Sequence, residues 1–559
     1  MFRGDIMRIM LKTRPDGEYR EIIREGRVTL EELAGEFRGE LPYTVLLAKV
    51  NGKYEELSFS LEKDSTVELL DIRNHSADLA YQNSLALIYL KAVWDTMGDV
   101  PVNIENSLNK GLYTEIEVSP HVTEEQVRAV EKRMRELVAE DLPIVREIYD
   151  RQEAVEIWEQ YNCSEKARLL RESTYITEAK FYSLEGYRNF FYGLMAPSTG
   201  YIKYFQLERY GQGVVMRFPQ PSHPDSLPEP VDDRKIYRAF AEAKNWHRLL
   251  GVAYLPDLND SIKAHKSKEL VLLSEALHEK KIAEIADMIS RKKKRMILIA
   301  GPSSSGKTTF AKRLCVQLRV NGLQPLYMGT DDYYLERSQS PVDEDGHYNF
   351  ENLDALDIDL FNDNMNRLLM GERVDLPRFD FRTGRKVFGT RITSIGPLQP
   401  VVIEGIHGLN DKLTERIDDD EKFRIYISPF TQLNIDRHNR VTTTDDRMIR
   451  RIVRDKEFRG SSAAETISVW PKVRAGEDRN IFPYSEKADV LFNSAMAYEL
   501  SVLRKYAVPI LKEVREDQDE YAEAVRLLKF IEFFDPMEEE EVIPNNSIIR
   551  EFIGGSIFV

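Results

Sequence analysis

The segment Gly301-Pro302-Ser303-Ser304-Ser305-Gly306-Lys307-Thr308 constrains this chain more than any other feature. It follows the apolar run Met296–Ala300 and leads into a helical pattern from Thr309 to about Val320, so it joins a strand to a helix. Glycines let such a loop curl until its backbone N–H groups converge on phosphate oxygens. A lysine in the place of Lys307 neutralises β/γ charge, and a hydroxyl in the place of Thr308 ligates Mg²⁺. Gly301, Ser303, Ser304, Ser305, Gly306, Lys307, Thr308 and Thr309 are therefore the candidate nucleotide-binding residues, with ATP or GTP and Mg²⁺ as cofactors. Around the loop, MILIA, PLYMG, VVIEG and FRIYIS are short continuous apolar runs separated by polar segments. That pattern predicts an α/β fold with a parallel sheet covered by helices on both faces.

Two further acids fall at ends of these strands. The run Pro325–Gly329 leads into Thr330-Asp331-Asp332-Tyr333-Tyr334, and Pro400–Ile403 into Glu404-Gly405-Ile406-His407. Open α/β sheets bind ligands at that edge. A carboxylate there accepts the proton of an attacking hydroxyl, which makes Asp331 the candidate base, while Glu404 suits a magnesium site. The blander readings are a turn or capping Asp and a solvent-facing Glu, and His407 is left without a role. Arg447, Arg450, Arg451 and Arg454 recur at helical spacing on one face, an arrangement that repels itself unless an anion sits opposite.

The chain has 559 residues, more than one ordinary core supports, and about 150 residues per domain suggests three or four units. Its 42% hydrophobic and 31% charged residues are globular usage. The net charge of −16 disfavours DNA and anionic membranes, so any RNA contact is local. Two cysteines, Cys163 and Cys315, exclude a disulfide scaffold and fit a reducing compartment. With no span-length apolar run and no signal-peptide pattern at the start, a cytoplasmic protein is expected.

Upstream of the loop, residues 1–60 read as a small α/β module with Thr29 as a helix N-cap and Asn51-Gly52 as a hairpin turn. Residues 61–225 mix strands with helices at HSADLAYQNSLALIYLKAVW and after Thr123. A proline-rich stretch over 219–230 reads as a linker, residues 226–290 as a helical connector, and 291–559 as the nucleotide-binding domain.

Together, GPSSSGKTT, Asp331-Asp332-Tyr333-Tyr334, Asn349-Phe350-Glu351-Asn352-Leu353-Asp354, Glu404-Gly405-Ile406 and the run from Arg447 to Asp455 resemble the phosphoribulokinase/uridine kinase family over about Lys294 to Ile510. The resemblance implies a nucleoside kinase. Asp331 would be its base, and Lys307, Arg450 and Arg454 would be catalytic. Tyr334, Glu351, Phe379, Arg447, Arg451 and Arg459 would be substrate-binding, and Thr308 and Glu404 would hold the metal. Residues 1–225 resemble the TGS and editing-type domains of threonyl-tRNA synthetases. Of the metal-type residues in that resemblance only His75 remains, the others falling on Leu79, Phe191 and Met195. One imidazole makes no zinc or editing centre, which implies a catalytically degenerate domain.

The resulting expectation is phosphorylation of a nucleoside 5′-hydroxyl in a homo-oligomer. The base preference is expected to be relaxed or altered, because the family's Y-D-F-x-x-H reads Phe379-Asp380-Phe381-Arg382-Thr383-Gly384 here. Two rivals stand beside it: a kinase for a non-nucleoside alcohol, and an RNA- or tRNA-sensing protein with a nucleotide-dependent switch.

Overall fold

The computed structural model describes residues 6–15, 17–161, 163–172, 177–342 and 350–558. Its C-terminal half is built on five parallel strands in the order Leu326–Gly329, Val401–Glu404, Met296–Ala300, Lys422–Ser428, Val490–Asn493. The last strand, Val490–Asn493, is not among the four apolar runs that predict the sheet. Along the central strand, Ile297 and Ile299 enter one apolar core with Phe310 and Leu314, while Met296 and Leu298 enter another with Phe361 and Met365. The strand alternation thus feeds both covered faces of the sheet.

The helices expected as a connector are part of this body. Within Leu255–Lys263 and Ser267–Lys292, Leu255, Leu258, Ile262, Ile282, Ile285 and Ile289 share the core of Ile297 and Phe310. Their apolar stripe is legible in sequence, but the surface that covers it lies in strands and helices downstream. Residues 219–233 carry no helix and no ladder strand.

The N-terminal module is a five-stranded sheet ordered Arg20–Glu25, Ile6–Lys12, Ser65–Asp71, Val45–Val50, Lys53–Glu56. Its middle strand lies beyond residue 60, so the expected boundary there falls short. Local signals were legible: Thr29 forms a capping box with Glu32, Thr123 forms one with Gln126, and Asn51 and Gly52 take φ of 46° and 77° between paired strands. The helix His75–Met97 then packs with two antiparallel sheets of three and four strands. No helix among the described residues is long and apolar enough to cross a membrane.

Candidate active site

The loop after Met296–Ala300 is wound tightly enough that its glycines are steric requirements. A Cβ on Gly301 would sit 2.0 Å from the Ile427 carbonyl oxygen. Gly306 has φ of +79° and caps the helix Lys307–Val320, and a Cβ there would meet Ile548 at 2.4 Å. The Lys307 ammonium donates to the Pro302 carbonyl at 3.0 Å. Burial lowers its pKa, against the opposing pull of Glu404, Glu551 and Asp331.

The Thr308 hydroxyl donates to Glu404 Oε1 at 3.1 Å, and Tyr327 donates to the same oxygen at 3.2 Å. Glu404 ends its strand beside the loop; burial pushes its carboxyl up to about 7, Asp331 and Glu551 adding to the push and Lys307 opposing it. A hydroxyl and a carboxylate side by side form the all-oxygen donor set that suits Mg²⁺. The neighbouring acids divide their work. Asp332 is tied to Arg391 at 2.7 Å and accepts the Phe379 N–H at 3.4 Å. Asp331 keeps a solvent-exposed side chain, yet the protein around it raises its carboxyl while Lys307 and Arg459 pull the other way.

Four arginines facing one external anion is an expectation the structure corrects. In the helix Thr443–Arg459, Arg447 and Arg450 are buried and internally neutralised. Arg447 pairs with the fully buried Glu477 and donates to the Ser303 carbonyl at 2.9 Å. Arg450 pairs with Glu499, lies 3.8 Å from Asp446 and donates to the Ser494 carbonyl at 3.0 Å. Such buried guanidiniums need anions already in the fold, and spacing within one helix does not disclose acids on other elements. The positive surplus lies in the rest of the helix, where Arg451, Arg454 and Arg459 all converge on the carboxylate of Asp455, at 3.2, 2.8 and 3.6 Å. Arg451 also donates to Ser303 Oγ at 2.9 Å, which binds this group to the loop.

An aromatic wall stands beside Asp331. Tyr334 packs edge-on against Phe350, Phe379 and Phe381 at 5.2, 5.8 and 6.1 Å. Glu351 lies against the helix that carries Glu477, a Cβ on Gly476 being 2.8 Å from its own, and burial raises its carboxyl despite Arg451. Asn349 of the same motif lies outside the described residues.

Sequence reasoning missed two acids that grip the loop. Glu477 accepts the Ser303 N–H at 3.0 Å, and Glu551, near the end of the chain, accepts the Thr309 N–H and hydroxyl at 3.1 and 2.7 Å. Glu477 stands in a charged helix without a distinguishing pattern. Glu551 did leave a trace, as an acid inside the apolar run Ile548–Ile553. His75, the one metal-type residue left of that resemblance, faces the arginine helix with Nε2 3.6 Å from Asp445, while Phe191 and Met195 are buried.

Residues 296–501 match the model of the Phosphoribulokinase / Uridine kinase family. The N-terminal portion is similar to threonine–tRNA ligases, at 29% identity over 195 residues for that of Acidovorax sp. JS42 and 29% over 202 for that of Acetivibrio thermocellus. These alignments take in 35% and 36% of this chain, and the chain spans about 30% of the length of those relatives. Among solved structures, a possible uridine kinase from Bacillus stearothermophilus is 18% identical with a TM-score of 0.25, covering 38% of this chain and 99% of that one. D-glycerate 3-kinase from Cryptococcus neoformans is 11% identical with a TM-score of 0.20, covering 47% and 89%. The phosphate loop and the parallel sheet thus lie within the segment that matches the phosphoribulokinase/uridine kinase family model, behind an N-terminal portion similar to threonine–tRNA ligases.

Proposed function

We propose that the protein transfers the γ-phosphoryl group of ATP to the 5′-hydroxyl of a nucleoside, with a relaxed or altered base preference. The observation that carries this reading is the grouping of Lys307, the Thr308–Glu404 pair and Asp331 around the phosphate loop. Thr308 and Glu404 would hold Mg²⁺, which supplies neutralisation of charge on the β- and γ-phosphates. Lys307 places a cation on the same oxygens. Asp331 accepts the proton of the attacking hydroxyl, and its raised carboxyl makes it a stronger base than an ordinary aspartate. Arg451, Arg454 and Arg459, with one carboxylate among them, supply the surplus positive charge for the group in transfer.

Phe381, exposed beside Phe379, which the core buries and so withdraws from the substrate-binding role its sequence position implied, offers a base a stacking face without the phenol and imidazole of the family motif. Strong discrimination between bases depends on buried hydrogen bonds that the wrong ligand leaves unmade, so a face of this kind accepts several. The same apolar wall favours, as a second reading, a non-nucleoside alcohol. Turnover across uridine, cytidine, adenosine, guanosine, inosine and a set of sugar phosphates tests both. Comparable kcat/KM for several nucleosides is the expected result. A uridine or cytidine preference above ~10³-fold refutes the relaxed site, and turnover confined to a non-nucleoside alcohol establishes the second reading.

A further inference from the structure

The fold treats the two carboxylate oxygens of Glu404 unequally. Oε1 accepts from the Thr308 hydroxyl at 3.1 Å and from the Tyr327 hydroxyl at 3.2 Å. Oε2 accepts no hydrogen bond among the described residues, yet it is not sealed from solvent. Thr308 belongs to the phosphate loop. Tyr327 does not, and no motif residue accounts for it.

The strand Leu326–Gly329 runs parallel to Val401–Glu404, with Tyr327 opposite Val402 and Gly329 opposite Glu404. Strand alternation puts residues 327 and 329 on one face of the sheet, the face that Glu404 shares. The position directly opposite Glu404 is a glycine, and a Cβ there would come to 4.0 Å from Oε1. With no side chain at 329, the diagonal from residue 327 to Glu404 is open, and a long side chain spans it. A phenol does so and ends in a donor. Burial and the adjacent Glu404 both push its pKa up, so the proton stays on the hydroxyl. The ring is braced in turn. Lys312 Nζ stands 3.7 Å from its centroid in a cation–π contact, and no carboxylate lies within ion-pair reach of that ammonium among the described residues. Lys312 follows Thr308 by four positions in the helix Lys307–Val320, so the two stand on one face of it.

A carboxylate held by one hydroxyl can still turn about its last carbon–carbon bond, and a second donor on the same oxygen stops that rotation. Hydrogen bonds of this kind are how proteins orient the carboxylates that serve a metal. We propose that Tyr327 is a positioning residue of the magnesium site, its hydroxyl holding Glu404 by Oε1 so that Oε2 is left free for the ion, with Lys312 bracing the ring. The inference rests on the reading of Thr308 and Glu404 as the residues that hold Mg²⁺. Neither Tyr327 nor Lys312 acts on the reacting atoms.

Calorimetric titration of the full-length protein with ADP, with and without magnesium, separates this role from a merely structural one. The ratio of the two affinities is the contribution of the ion. Tyr327→Phe keeps the ring and its Lys312 contact; it should cut the ratio by about tenfold and leave ADP affinity without magnesium within about twofold. Lys312→Met should cut it in the same direction by a smaller factor, about two- to fivefold, and decides the matter alone if Tyr327→Phe does not fold. In turnover, excess magnesium should restore kcat to Tyr327→Phe, the loss appearing as a raised KM for magnesium. An unchanged ratio in the variants overturns the proposal, as does an equal loss of ADP affinity with and without magnesium, the mark of a distorted loop. Glu404→Gln tests the premise. A ratio near one in the parent, or one that Glu404→Gln leaves untouched, removes the metal reading and this inference with it, whereas a ratio that responds to Glu404→Gln but not to Tyr327→Phe removes only the role of Tyr327.

Discussion

Lys307, Asp331, Asp332 and Glu404 lie within a few residues of the phosphate loop or the strand ends beside it, and the structure gives each a separable test. Lys307→Ala should lower turnover by at least ~10²-fold, because no other side chain of the loop brings a cation to the phosphates. Turnover within a few-fold of the parent would remove the loop from the chemistry. Asp331→Asn should lower kcat by ~10²–10⁴-fold while nucleotide still binds. Asp332→Asn should leave kcat within a few-fold and lower the melting temperature, since Arg391 loses its partner; the reverse pattern in steady-state rates and melting curves exchanges their roles. Glu404 carries a pH prediction. Its carboxyl, raised from 4.5 to about 7, is protonated in the folded protein over a range where the unfolded chain has already lost the proton. The resulting stability is complete below pH 4.5 and is lost as pH rises through about 7. Glu404→Gln should therefore melt higher than the parent at pH 8 without magnesium, while magnesium affinity, which needs the ionised carboxylate, rises with pH across 7 in the parent only. A lower melting point for the variant at pH 8 refutes the assignment.

The arginine helix shows what a single element discloses about itself and what it conceals. Its four arginines share a face, as their spacing requires, but two of them answer Glu477 and Glu499, which come from helices starting at Ala463 and Glu499. Charge spacing is local information; the identity of a buried counter-ion is tertiary information. Caps, the hairpin at Asn51-Gly52 and the phosphate loop were legible for the same reason, because each is decided within about four residues. Glu477→Ala should cost ~3–5 kcal/mol, as expected for a buried cation left alone, and should also free the Ser303 N–H. Urea denaturation measures that loss. The double variant Glu477→Leu/Arg447→Met should recover most of it, and a double variant no more stable than Glu477→Ala would show that the pair is not what matters.

At the scale of the molecule, the two portions meet along a polar seam. Gln432 donates to Glu105 at 2.7 Å, Ile104 N–H donates to the Arg437 carbonyl at 2.8 Å, and His75 reaches Asp445 at the start of the arginine helix. A chain starting near Leu270 loses Val252, Leu255, Leu258 and Ile262 from the core of the sheet and should aggregate, whereas one starting near Asp233 keeps them. Light scattering of the two truncated chains decides this, and a monodisperse shorter one refutes it. Residues 1–225 should carry no stoichiometric zinc, with Leu79, Phe191 and Met195 in place of ligands, and elemental analysis finding one zinc per chain would contradict that. The grip of Glu551 and Ile548 on the phosphate loop also orders events in time. Glu551 is translated 242 residues after Thr309, which at 5–20 residues per second keeps the nascent loop without its prop for ~12–50 s. Polypeptides released early, before Ile548, would carry every motif residue and still lack a braced nucleotide pocket. A ribosome-released fragment ending at residue 546 should hold ATP far more weakly than the whole chain, so that an interrupted message yields the loop without a working nucleotide pocket.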